Sequence, residues 1–281
     1  MKYTFSLSIF FILTFNSFGQ SSNESKSTFY VDSIFSKSLN EYRKMNVYLP
    51  KDFVNGQPYP IIYATDGNKL SLEQFDNNNY RLILDSLIQG KFIPPLIYIE
   101  SYSNPKRVEP IMYTEDGQIV SWQYRNYEYR ELMSQESKDS ILHLRFNQHF
   151  TYFTEELIPT IEHEFSLPDD RDNRYFFGYS NGGAFGVNMA FKRPDLISTY
   201  LCFSTFGSNI ERLNWNSEIK YPLLYLEYGD QENLSFQWES EAIAKRCTEL
   251  KIPFRINKYR GDHDPLIWQE KFASTLLEIF D

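Results

Sequence analysis

The alternation of hydrophobic and polar positions gives the chain two characters. Residues 29–35 and 41–49 read as two antiparallel strands; in the second, Tyr42, Met45, Val47 and Leu49 are apolar and Pro50 stops it. From Ile61 onward the pattern changes. Residues 61–64 and 95–99 are continuous apolar runs, the signature of strands buried on both faces of a parallel sheet. Between them, residues 77–89 carry Tyr80, Leu84, Leu87 and Ile88 at helical spacing, closed by Gly90. A helix over 150–165 follows, with Phe153, Leu157, Ile158 and Ile161 on one face. Further strands fall at 174–179, 198–203, 221–228 and 253–259, and further helices after residue 180, over 236–250 and over 265–280. Strands alternating with helices predict an α/β protein, with a mostly parallel central sheet, helices on both faces and antiparallel strands at the N-terminal end. Residues 101–147 break the pattern: they mix proline, charge and tyrosine with little periodicity, and read as an irregular, functional insertion.

Composition narrows the partners. At 281 residues, with 42% hydrophobic and 23% charged, the chain suits one large domain over residues 20–281. A net charge of −9 argues against a nucleic-acid partner, because phosphates would be repelled. The first 19 residues resemble a secretory leader: Lys2 supplies the positive charge, residues 5–13 the apolar stretch, and Ser17 and Gly19 small residues before a cut. That stretch is too short to span a bilayer, so stable membrane insertion is not expected. The expectation is export to the periplasm or beyond. Cys202 and Cys247 read as buried thiols, and no His or Cys spacing matches a metal site. No metal and no cofactor are called for.

Candidate chemistry centres on Gly178-Tyr179-Ser180-Asn181-Gly182, between the strand ending at 179 and a helix. A strand that turns sharply into a helix needs flanking glycines, and a serine at the apex is held out as a nucleophile. Its hydroxyl needs a base, and the base a group to hold its tautomer. On this fold class the partners follow in the order Ser, acid, His. Of His143, His149, His163 and His263, only His263 lies beyond Ser180, in the loop before the last helix. The acid falls after the strand at 221–228, where Asp230 and Glu232 are both available and spacing does not separate them. An oxyanion needs two backbone N–H donors: Asn181 offers one, and the turn Thr65-Asp66-Gly67-Asn68 the other, nearest Gly67.

Several pieces together resemble one esterase family of α/β-hydrolases, which includes enterochelin esterases, feruloyl esterases and S-formylglutathione hydrolases. They are Val47-Tyr48-Leu49-Pro50, Tyr59 to Tyr63 running into Asp66-Gly67, Arg125 with Glu128-Tyr129, the Ser180 elbow, and Gly261-Asp262-His263-Asp264 followed by Trp268. The resemblance implies an α/β-hydrolase fold and a serine esterase working through an acyl-enzyme on a small-molecule or carbohydrate-linked ester. It tips the acid to Glu232, with Asp230 as alternative. It also places Arg125 at the entrance to the site, and the substrate pockets within 101–147 and around Tyr179, Phe206 and Trp268. Acyl transfer on the same fold, or carbohydrate or siderophore binding without catalysis, are the competing readings.

Overall fold

The computed structural model describes residues 26–68, 80–108, 122–131, 140–210, 216 and 218–281. The expected leader lies outside them. Eight strands form one sheet: β1 (Thr28–Ser36), β2 (Glu41–Leu49), β3 (Ile61–Ala64), β4 (Ile97–Ser101), β5 (Arg174–Tyr179), β6 (Thr199–Phe203), β7 (Leu223–Gly229) and β8 (Phe254–Tyr259). Their order across the sheet is β1-β2-β4-β3-β5-β6-β7-β8. β1–β2 and β2–β4 pair antiparallel, and every other neighbour pairs parallel. The alternating side chains of a strand explain why both faces are apolar. In β3, Ile61 and Tyr63 belong to one buried cluster, while Ile62 and Ala64 belong to the other.

Helices cover both clusters. α1 (Tyr80–Gln89) and α7 (Pro265–Phe280) lie on the face that buries Tyr80, Leu84, Phe272 and Leu276. On the opposite face lie α3 (Ser140–Thr151), α4 (Ile158–Glu164), α5 (Asn181–Lys192) and α6 (Leu234–Leu250). A π-helical turn, Tyr152–Leu157, joins α3 to α4. Pro159 has no N–H to give four residues back, and the turn before it is wider, with the Ile158 N–H reaching the Phe153 carbonyl.

The stretch 101–147 differs from expectation. Its described parts hold a short helix, α2 (Tyr124–Tyr129), and the start of α3. Both bury polar side chains: Arg125 and Glu128 in α2, Arg145 and His149 in α3. A helix whose inner face is charged gives no hydrophobic period to read. Cys202 and Cys247 are buried free thiols.

Parallel strands all point their C-terminal ends to one edge. Loops after β3, β5, β6, β7 and β8 therefore gather Asp66, Ser180, Ser204, Glu232 and His263 there.

Candidate active site

Ser180 stands between β5 and α5 with φ 55° and ψ −129°. An ordinary residue avoids such a conformation, which costs on the order of 1–3 kcal/mol and persists only where surroundings enforce it. The enforcement is visible. A Cβ on Gly178 would lie 2.6 Å from the Gly182 carbonyl oxygen, and one on Gly182 would strike the Thr65 hydroxyl. The Ser180 N–H is donated to the Phe203 carbonyl at 2.9 Å, and the Ser180 carbonyl accepts from the Phe206 N–H at 3.3 Å and the Ala184 N–H at 3.1 Å. The backbone at the apex is thus fixed from three sides.

On one flank, His263 Nδ1 lies 3.2 Å from Glu232 Oε1. Glu232 is buried, and the same oxygen accepts from the Ser204 hydroxyl at 2.5 Å and the Tyr259 hydroxyl at 3.3 Å. Both hydroxyls in turn accept from Trp268 Nε1, at 2.9 and 3.1 Å. The imidazole is held between rings: Phe236 at 4.2 Å and Trp268 edge-on at 4.6 Å between centroids. Asp230 is exposed and accepts instead from the Gly261 N–H at 3.0 Å. Spacing left the two acids equal; in the structure Glu232 faces the ring, while Asp230 braces the loop that carries it. Ser180 and His263 share no hydrogen bond among the described residues. In unliganded sites that contact is often long and closes with substrate.

On the other flank stands an ion pair. Arg125 Nε and Nη2 meet Asp66 Oδ1 and Oδ2 at 2.5 and 2.6 Å. Arg125 Nη1 also donates to Asn181 Oδ1 at 3.3 Å, and both partners of the pair are buried. Three expectations change here. Arg125 does not line an open entrance, because its guanidinium is committed to Asp66 and Asn181. Tyr179 points down into the core from the last position of β5 and stacks on Trp268 at 4.4 Å, so neither ring is open to a substrate. The Gly67 N–H is donated to the Ser101 carbonyl at 3.0 Å, the Thr65 N–H to Phe177 and the Asp66 N–H to the Tyr129 hydroxyl. Of that turn's amides, Asn68 alone has no acceptor among the described residues, as has Asn181 at the first position of α5.

Sequence reasoning did not single out Ser204, Tyr259, Phe236, Asn68 or Asn126. Ser204 and Tyr259 end or follow strands at the active edge, and that position was the available signal. No cluster of His, Cys, Asp and Glu suited to a metal occurs among the described residues.

An eight-stranded, mostly parallel sheet with a serine elbow, an acid after β7 and a histidine after β8 defines the α/β-hydrolase class of fold. The profile of the family described as Putative esterase matches residues 36–279, and the chain belongs to this family of ester-hydrolysing enzymes. An endo-1,4-beta-xylanase/feruloyl esterase of Xylanibacter ruminicola is 25% identical over 260 residues, 87% of this chain. The chain spans about 30% of that relative's length. Among solved structures, a ferulic acid esterase superposes with a TM-score of 0.68 at 17% identity, covering 91% of this chain and 98% of the other. A ferulic acid esterase of Anaeromyces mucronatus, solved with ferulic acid, gives 0.66 at 16% identity and covers 92% of each. At such identities the likeness is one of fold.

Proposed function

We propose that this protein is a serine esterase in which Ser180 attacks the ester carbonyl and His263 takes the Ser180 proton. Glu232 holds the Nδ1–H tautomer and balances the charge the imidazole gains. The carbonyl oxygen becomes an oxyanion, received by the N–H groups of Asn181 and Asn68 at the positive end of α5. His263 then returns the proton to the leaving alcohol. Water, activated by the same imidazole, releases the acid from the acyl-enzyme. The observation that carries this reading is the buried Glu232 carboxylate on His263 Nδ1, which leaves Nε2 as the nitrogen free to act as base.

For substrate class we favour esters with an aromatic acyl group. The half-buried rings of Phe206 and Phe236 lie 5.1 Å apart beside His263, where a planar acyl chain gains stacking area. The Xylanibacter ruminicola relative is likewise named a feruloyl esterase. The leader-like first 19 residues support export as part of this reading. No helix among the described residues is long and apolar enough to cross a membrane. A panel of p-nitrophenyl acetate, methyl ferulate, methyl sinapate and catecholate esters tests the reading. Hydrolysis is expected, fastest with the hydroxycinnamates. Absence of turnover on every ester, or full turnover by Ser180→Ala, contradicts it.

A further inference from the structure

The esterase reading assigns the oxyanion to amides of two separate loops, after β3 and after β5. Such donors act only if their spacing is fixed before reaction, because a loose pair spends binding on its own reorganisation. Backbone pairing reaches the first turn at its first residue, where the Thr65 N–H is donated to the Phe177 carbonyl at 3.2 Å, and β3 itself ends at Ala64 and β5 at Tyr179. Beyond that bond and the close packing of Gly182 on Thr65, a further connection runs through α2.

Arg125 grips Asp66, the second residue of the first turn, through two parallel bonds of 2.5 and 2.6 Å. With its remaining nitrogen it reaches Asn181 Oδ1 at 3.3 Å, on the residue that supplies the other donor. Asn126, next along α2, donates to the same oxygen at 3.0 Å. The Asn181 amide passes the contact on, donating to the Phe206 carbonyl at 2.7 Å in the loop after β6. Three loops at the active edge are therefore tied to one helix. That helix is itself anchored: Glu128, fully buried, takes Arg43 on one side and Arg145 Nη2 at 2.7 Å on the other, and accepts from the Asn104 N–H at 3.0 Å. The planar fork of arginine suits this task and lysine does not, since a single ammonium cannot bond both oxygens of Asp66 in register and still reach Asn181.

We infer that Arg125 is a positioning residue, which sets the distance between the two oxyanion donors by clamping Asp66 and Asn181 together, rather than a residue that binds substrate. The inference rests on the esterase reading. It separates from a merely structural role because it predicts loss at the transition state alone. Arg125→Lys and Arg125→Ala are compared with wild type for kcat and KM on the best ester, and for inhibition by a trifluoromethyl ketone of the same acyl group. That ketone adds Ser180 across its carbonyl and presents a bound oxyanion. Affinity for the product carboxylate serves as the ground-state reference.

Expected is a kcat lowered roughly 100-fold in Arg125→Ala and about tenfold in Arg125→Lys. The ketone should weaken by the same factors, with KM and product affinity within about threefold. Guanidinium ion added to Arg125→Ala should restore part of kcat. Should Arg125→Ala fail to fold, Asp66→Asn, which keeps the volume and removes the charge Arg125 grips, must show the same paired loss. Unchanged kcat in a folded variant, or a kcat loss without weaker ketone binding, overturns the inference. Wild-type protein that neither turns over esters nor binds the ketone defeats the esterase reading itself, a result distinct from an active wild type with an indifferent Arg125.

Discussion

The two flanks of Ser180 are built by opposite means. The base side is aromatic around a single acid: one carboxylate, two hydroxyls and an indole N–H converge, and His263 lies between rings, half exposed. The oxyanion side is ionic and enclosed: Asp66, Arg125 and Asn181 are buried and bonded to one another. A catalytic histidine must gain and lose a proton each cycle. A fixed cation beside it would oppose that gain, and ring contacts hold its plane without adding a full charge. Oxyanion donors do no proton chemistry and must only stay still. A buried ion pair is suited to that, since removing one partner of such a pair costs roughly 3–5 kcal/mol.

The comparison breaks most readily at Glu232. Glu232→Gln keeps the shape but favours the wrong imidazole tautomer, and kcat should fall about 10³–10⁴-fold, while Asp230→Ala should change it less than about threefold. Steady-state kinetics on a single ester decides, and equal losses from both variants would undo the assignment of the acid. A smaller effect is expected at Ser204, whose hydroxyl donates to the same carboxylate oxygen. Hydrogen bonds to charged groups contribute about 1.5–3 kcal/mol, so Ser204→Ala should cost roughly ten- to a hundredfold in kcat, with KM nearly unchanged.

The smallest predicted effect concerns stability. Glu100 sits under the Asp66–Gly67 turn, where burial pushes its carboxyl up to about 7 against the hydrogen bonds from Asn46 and Tyr98. A raised folded value means that the native state holds this proton longer than the unfolded chain does. Its stabilising contribution is full below the ordinary glutamate value of 4.5 and is lost as pH rises through about 7. Glu100→Gln should remove that dependence. Thermal melts at pH 5 and pH 8 should show the variant gaining on wild type at the higher pH, by on the order of a few degrees. A constant difference between the two would contradict the burial argument.

Much of the fold was legible because its core is apolar: the parallel strands inside the sheet read as short hydrophobic runs, the edge strand β8 with its exposed Arg255, Asn257 and Lys258 being the exception, and α7 begins at Pro265 as the sequence indicates. The strained turn at Ser180 and the place of His263 at the same edge of the sheet were legible through the glycine requirement and the chain order of the residues. The other side was legible only in part: Asn181 and the turn at residues 65–68 were, the tie between them through Arg125 was not. Its helix carries Arg125, Glu128 and Tyr129 inward, so hydrophobic spacing is silent there, and a buried arginine looks in sequence like a surface one. Tyr179 and Trp268 misled in the complementary way. Large aromatic side chains beside Ser180 suggest a binding wall, whereas the two stack on each other, favourable by about 0.5–1.5 kcal/mol beyond area, and Trp268 meets His263 edge-on.

Covalent capture of the nucleophile tests the central claim most directly. Protein treated with a fluorophosphonate and digested for mass spectrometry should carry one phosphonyl adduct, on the peptide containing Ser180. Labelling should be abolished in Ser180→Ala and slowed by several orders of magnitude in His263→Ala. An unlabelled wild type, or an adduct on another residue that persists in Ser180→Ala, would contradict the account.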